Sequence, residues 1–346
     1  MTRTRGSWPA AAVALALAVG GCGTLRSTVP GPWHEPALRF DEEHFARKPH
    51  ATYRMPTPRP GDVASEAVIG AARHYRIHQG DTLYDVARWY DLGYNEIVDA
   101  NPGVDPMIPP VGTEVIVPTE WVLPCCTYRG IVLNIPEMRL FYFRPDPRDL
   151  GTTLIETYPV GLGRLGWRTP RGRYHVEAKT VNPAWHVPAS IHAEHVRERA
   201  DARWVIPGGA HDNQLGKYRL KLSHGLYSIH GTDVPWGIGM QVTHGCVRLY
   251  PEDIERLYPE VPIGTAVEFT YQPVKLGTRG KTVYAEVHRD IYGYARSLAS
   301  ASRPALARQR LDGRVDPRLL DGVLESAAGI PTRVSPVDGV ARRPAG

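Results

Sequence analysis

Between Arg129 and Val274 the chain is a succession of short β-type runs, and this pattern limits the folds open to it more than any other feature. GIVLNI and MRLFYF are joined at Pro136-Glu137, and TLIETYPVG, GRYHVEAKT, GLYSIHG and AVEFTYQPV follow. Each is rich in β-branched or aromatic residues and bounded by turn formers, the pattern of strands. One helix stands out, PEDIERLY at 251–258, with proline at its first position and acids in its first turn. The expected fold over 128–275 is mainly β, an antiparallel, sandwich-like domain. Val181 to Leu222 interrupts the pattern with Pro, Gly, His and Trp. Connections of that length inside a compact domain are usually lids or binding loops.

A smaller module precedes this domain over 73–119. HYRIHQ alternates as a short strand, and GDTLYDVARWYDLG then reads as a helix. Thr82 is its N-cap, Asp85 lies three residues on, and Gly93 is a stop, with Leu83, Val86, Ala87 and Tyr90 on one face. A second helix, NEIVDA, is opened by Asn95; NPGVDPMIPPVG turns back, and TEVIVP closes as a strand. This small α+β (βααβ) order resembles the LysM domain, a binder of N-acetylglucosamine-containing glycans. Y-x-I-x-x-G-D-T-L (Tyr75 to Leu83), Ala100-Asn101-Pro102 and Ile116-Val117-Pro118 carry the likeness.

At the N-terminus, Arg3 and Arg5 precede an apolar run, Ala10 to Val19, too short to span a bilayer. Val19-Gly20-Gly21-Cys22 then resembles a bacterial lipobox. The reading is a lipoprotein signal peptide at 1–21, lipidation at Cys22, and a lipid-anchored proline-rich linker over 22–72. That places the protein in the periplasm, and the glycine after Cys22 favours the outer membrane. The formal charge of +5 is concentrated in the tail, where nine arginines face five acids from Arg296 onward. The rest is near neutral, which gives no nucleic-acid footprint. Residues 276–346 read as a C-terminal extension, partly disordered, with one short helix in DPRLLDGVLESA.

The chemistry centres on THGCVRL, Thr243 to Leu249. A thiol attacks a carbonyl as thiolate, so its pKa must be lowered by a neighbour such as an imidazolium. His244 is two residues from Cys246; His230 ends an apolar strand and is followed by Gly231. Gly245 leaves room for a substrate backbone, and the amides around it are candidates to face an oxyanion. Arg248 suits a substrate carboxylate.

Together, His230-Gly231 and Thr243-His244-Gly245-Cys246-Val247-Arg248 resemble the signature of the L,D-transpeptidase (YkuD) catalytic domain. The likeness extends through EMRLFYF, the GRLGWRTPRG turn, HDNQLGKYRL and VPIGTAVE. The order signal, LysM-like module, catalytic domain also resembles the periplasmic enzymes that anchor the murein lipoprotein. The resemblance implies Cys246 as nucleophile, His230 as base ahead of His244, and the Gly231 carbonyl as the group that orients the imidazole. Thr243, Trp185 and Tyr227 join Arg248 and Gly231 as expected substrate contacts. The implied donor is a peptidoglycan tetrapeptide stem that loses its terminal D-alanine. The implied acceptor is the C-terminal lysine of an outer-membrane lipoprotein or the diamino acid of a second stem. No cofactor or metal is implied.

Other features stay open. His186, His192 and His195 match no standard zinc spacing. Cys125-Cys126 reads as a vicinal disulfide, as partner to Cys246 in a redox lock, or as an idle pair. Two rival functions remain: a hydrolase that cuts the lipoprotein–peptidoglycan link on the same scaffold, and a non-catalytic lipid-to-glycan tether. Rapid alkylation of Cys246 near neutral pH is the expected mark of an enzyme.

Overall fold

The computed structural model describes residues 38, 40–59, 62–125, 127–199, 201–225 and 227–336; the signal peptide, Cys22 and Cys126 lie outside these. The main element is a nine-stranded sheet. Its order is Tyr53–Pro56, Asp149–Pro159, Arg139–Asp146, Gly130–Asn134, Ala266–Thr270, Gly172–Val181, Tyr218–Leu222, Ser228–His230, Val247–Arg248. The mainly β expectation holds. Two neighbour pairs are parallel, Gly130–Asn134 with Ala266–Thr270 and Ser228–His230 with Val247–Arg248. Such pairs join segments distant in sequence, so local alternation does not disclose them.

The central strands are apolar on both faces because both faces are covered. Ile131, Leu133, Leu140 and Tyr142 belong to a core shared with Ile229, Val247 and Ile254. Their neighbours of opposite parity, Val132, Phe141 and Phe143, pack with Leu83, Val86, Ala87 and Trp121 of the smaller module. Period-2 geometry thus sorts a continuous run such as LFYF between two cores. Each fully buried side chain of this kind contributes about 1.5–3 kcal/mol.

In the smaller module, strands Arg73–Arg76 and Glu114–Val117 pair antiparallel, and helices Leu83–Trp89 and Tyr94–Ala100 lie between them in sequence. Thr82 caps the first helix as expected, accepting from the Asp85 amide at 3.1 Å. The second helix differs: its N-cap is Gly93, whose amide donates to Glu96 at 2.8 Å. Asn95 instead donates to the Glu137 carbonyl at 3.0 Å. The motif asparagine, Asn101, donates to the Ile97 and Ile116 carbonyls and accepts from the Ile116 amide at 2.7 Å. It therefore stitches the second helix to the closing strand.

Two terminal regions differ from expectation. Within 22–72, a tether by composition, the described residues are built into the fold. Helix Glu42–Ala46 is capped by Asp41, Tyr53–Pro56 pairs with Asp149–Pro159, and Val68–Gly70 pairs with Glu120–Val122. Phe45, Met55 and Lys48 are buried there. Beyond 275, strands Val274–Arg279, Thr282–Val287 and Thr332–Arg333 make a sheet, with helices Leu298–Gln309 and Pro317–Ser326 against it. Val274, Leu276, Val283, Ala285 and Val287 supply one side of this core, and Leu311, Leu320, Val323 and Leu324 the other. The short helix in DPRLLDGVLESA forms, with Asp316 as cap and Pro317 at its first position.

Val181 to Leu222 is also more regular than its composition implies. Trp185–His186 pairs with Val205–Ile206, and a helix runs over Ala189–Arg199. Trp185, Val187, Ile191, Ile206 and Leu215 form its own apolar cluster. Cys125 is disulfide-bonded, whereas Cys246 takes part in no disulfide, which removes the redox lock between them.

Candidate active site

Register brings the site together. Ile229 stands beside Val247 and His230 beside Arg248 in the parallel pair, while Arg219 stands opposite His230 in the antiparallel one. Residues two apart on a strand share a face, so Ser228, His230, Arg219 and Arg248 point one way, with Cys246 directly before the strand. Ile229 and Val247 point the other way, into the core. Cys246, His230, Ser228, Arg219 and Arg248 line one cavity of about 290 Å³. Trp167, Trp185, Ile191, Tyr227, Thr243 and His244 complete much of its wall.

The His230 Nδ1 lies 2.7 Å from the Gly231 carbonyl. A carbonyl only accepts, so Nδ1 carries the proton and neutral His230 keeps Nε2 as an acceptor. This agrees with the expected orienting role of Gly231. Burial, helped by the Arg248 charge, pulls His230 down to about 3. Burial also pushes the Cys246 thiol up, against contacts with Ser228 and the cations of Arg219 and Arg248. The resting site therefore holds a thiol and a neutral imidazole, not the ion pair expected from thiol chemistry alone.

That reverses the expected alkylation behaviour. Iodoacetamide should modify Cys246 more slowly than an unstructured cysteine at pH 7, with the rate climbing through the alkaline range. A stopped pH series followed by intact mass measures it. A neutral-pH rate above that of the unstructured thiol would contradict the protonated resting state.

Gly245 is required by its backbone. Its φ is +104°, and an added Cβ would lie 3.0 Å from the Tyr227 ring. Its amide, expected to face an oxyanion, donates instead to Thr243 Oγ1 at 3.1 Å, while that hydroxyl donates to the Cys246 carbonyl at 2.7 Å. Thr243 thus shapes the loop from within. Thr169 Oγ1 donates to the Gly245 carbonyl at 3.1 Å, and Tyr292 accepts from the Thr169 amide at 3.1 Å. The nucleophile loop is braced by residues far outside its own motif.

His244 lies away from the His230 role. Its Nε2 is 3.0 Å from Glu194, and Trp167 packs edge-on at 5.2 Å between ring centres. Arg248 donates to Gln214 at 2.7 Å, and Arg219 Nε donates to Ser228 Oγ at 2.9 Å. Arg219, Ser228, Gln214 and Glu194 were not marked by the sequence; only alternation in YRLKL and YSIH hints at the first two. Of the tempting histidines, His186 lines the cavity, His192 stacks on Trp204 at 3.6 Å, and His195 sits edge-on against Trp185.

A thiol and an imidazole on one cavity wall of a β scaffold define a candidate cysteine-dependent enzyme. Comparison with known proteins sharpens this. The L,D-transpeptidase catalytic domain (YkuD) family matches residues 128–269, and the LysM domain matches 75–118. The chain is 35% identical over 294 residues to the probable L,D-transpeptidase YbiS of Escherichia coli K12, covering 82% of this chain and 92% of that protein. It is 33% identical over 267 residues to the probable L,D-transpeptidase ErfK/SrfK of the same strain, covering 75% and 84%. To the probable L,D-transpeptidase YcfS it is 31% identical over 285 residues, covering 80% and 87%. The chain belongs to the L,D-transpeptidase family and carries a LysM domain.

Proposed function

We propose that the protein transfers peptidoglycan tetrapeptide stems through a thioester on Cys246. The observation that supports this most directly is the shared cavity wall of Cys246, His230, Arg219 and Arg248. His230 Nε2 accepts the thiol proton as Sγ bonds to the carbonyl carbon of the third stem residue. The bond to the terminal D-alanine breaks, and His230 returns the proton to the leaving amine. An acceptor amine then gives a proton to His230 and attacks the thioester carbonyl. The C–S bond breaks, and the sulfur takes the proton back. Arg219 and Arg248 favour the thiolate as it forms and suit the carboxylates of the stem.

The acceptor is the lysine of an outer-membrane lipoprotein or the diamino acid of a second stem. The LysM domain would hold the glycan strand; Met107, Ile108 and Val111 in its return loop are exposed apolar residues suited to a sugar face. Cys22 would anchor the protein to the outer membrane, facing the periplasm. Among the described residues no helix is long and apolar enough to cross a membrane.

The test is intact mass spectrometry of the protein mixed with a disaccharide tetrapeptide. Wild type should gain the mass of the substrate minus alanine, and Cys246→Ala should gain nothing. Adding a lysine-terminated peptide or a second stem then identifies the acceptor by product mass. No adduct on a reduced wild-type thiol would end the thioester reading.

A further inference from the structure

The helix Ala189–Arg199 crosses the mouth of the Cys246 cavity and presents Ile191, Glu194 and His195 on one face. Ile191 lines the cavity, and His195 is buried against Trp185. Glu194, between them, reaches the nucleophile loop. Its Oε2 lies 3.0 Å from His244 Nε2 and 2.5 Å from Arg164 Nη2. Arg164 belongs to the turn below, and its amide donates to the Thr243 carbonyl at 3.0 Å. One carboxylate thus joins three segments: the helix, the turn at Arg164, and the loop carrying Cys246.

The protons can be assigned. Arg164 Nη2 also lies 3.0 Å from His244 Nε2. A carboxylate accepts from both, so the simplest arrangement has Arg164 and His244 each donating to Glu194, their mutual distance following from convergence on one oxygen. His244 Nε2 then carries a proton, opposite to the acceptor role of Nε2 in His230. The Arg164 hydrogen bond is the largest influence on Glu194, and with His244 it holds the carboxyl at about 2.

We propose that Glu194 is a positioning residue that latches the helix onto the nucleophile loop, so that closing the lid and setting the His244 ring are a single event. The proposal rests on the transfer reading above and deepens it. The closed cavity, about 290 Å³, is at the lower edge of the range for small-ligand pockets, and a disaccharide tetrapeptide exceeds it. The latch must open to admit the donor and close again while the thioester waits for its amine. Water is least welcome in that second interval, because a thioester exposed to it is hydrolysed instead of transferred.

The experiment compares wild type, Glu194→Ala and Glu194→Gln in the full protein. Glutamine is the conservative variant, because its amide oxygen still accepts from Arg164 or His244. Amide hydrogen exchange should accelerate about tenfold over 189–199 in Glu194→Ala, as expected for loss of charge-assisted hydrogen bonds, and less in Glu194→Gln. Exchange in strands 130–134 and 139–146 should be unchanged, showing an intact fold. With disaccharide tetrapeptide and a fixed concentration of a lysine-terminated peptide, Glu194→Ala should shift product from transfer to hydrolysis. Glu194→Gln should recover part of the loss. Unchanged exchange over 189–199 in Glu194→Ala would overturn the latch. So would faster exchange with an unchanged ratio of transfer to hydrolysis, since the helix would then be anchored but not coupled to the chemistry. If wild type forms no acyl-enzyme, the transfer reading fails, and the exchange data still decide whether Glu194 holds the helix.

Discussion

Replacing His230 with glutamine should slow acylation of Cys246 by about 10²–10⁴-fold, the range for removal of a positioned general base. The substitution approximates the shape of the imidazole in a buried site, so the melting temperature should move little. Binding of the donor should also persist, because Arg248, Arg219 and Gln214 are untouched. The pH dependence distinguishes a base from a spacer. With His230 lowered to about 3 and Cys246 raised, the free enzyme holds thiol and neutral imidazole across the neutral range. As pH falls, the base is lost only when the imidazole protonates, so the acid limb of kcat/KM belongs far below 6.5. As pH rises, thiolate forms directly and dependence on His230 weakens, so the gap between wild type and variant should narrow in alkali. Single-turnover thioester formation, quenched and read by mass across a pH series, supplies both limbs. An acid limb near 6.5 would mean that His230 titrates as a solvated imidazole and that the resting pair is organised differently. A variant with the wild-type acylation rate would remove His230 from the mechanism.

What the sequence discloses about this site follows chemical locality. Cys246, Gly245, Thr243 and His230 sit in two short motifs whose residue types are tied to their tasks, so they can be read without a fold. Arg219 and Ser228 enter the cavity through strand register, and Glu194 through the inward face of a helix whose apolar signal is weak. Neither register nor facing is a local property. Tyr292 braces the nucleophile loop from the region after residue 275, which composition alone makes look like a tail. There the signal was present: Val274, Leu276, Val283, Ala285 and Val287 flank the Arg279-Gly280 turn in strict alternation, and the hairpin forms as that pattern requires. The arginine-rich stretch after it obscured two helices whose apolar faces are short. The regularity of 40–72 was less accessible. Its prolines and charges do read as linker, and only the partners brought by the fold turn Lys48 from a solvated residue into a buried one.

Lys48→Met should be the most destabilising single change in the protein that touches no catalytic group. Lys48 is buried, with Asp91 at 2.6 Å, Asp253 at 2.9 Å and Glu252 at 3.3 Å from its ammonium. Burial works against the charged lysine, but these carboxylates outweigh it and hold the ammonium well above its usual range. The three acids come from different parts of the fold: Asp91 from the LysM domain, and Glu252 and Asp253 from the helix Pro251–Glu260 of the catalytic domain. Arg88 adds a second tie, donating to Glu252 at 3.0 Å and to Glu42 at 2.8 Å. Methionine matches the lysine stem in length but leaves three acids crowded in a dry site with one cation fewer. Breaking a buried ion pair from one side costs about 3–5 kcal/mol, and urea unfolding should report a midpoint lowered to match. The sign with pH is fixed as well. Asp253 is already pushed up to about 7 by burial, even with Lys48 beside it. Without the ammonium its protonated form is favoured still further, so the folded variant binds more protons than the unfolded chain and gains stability as pH falls from 8 toward 5. Asp253→Asn in the Lys48→Met background should recover part of the loss at pH 8 by removing one unpaired carboxylate. A Lys48→Met protein as stable as wild type at pH 8 would show that the two domains are joined by their apolar contacts alone.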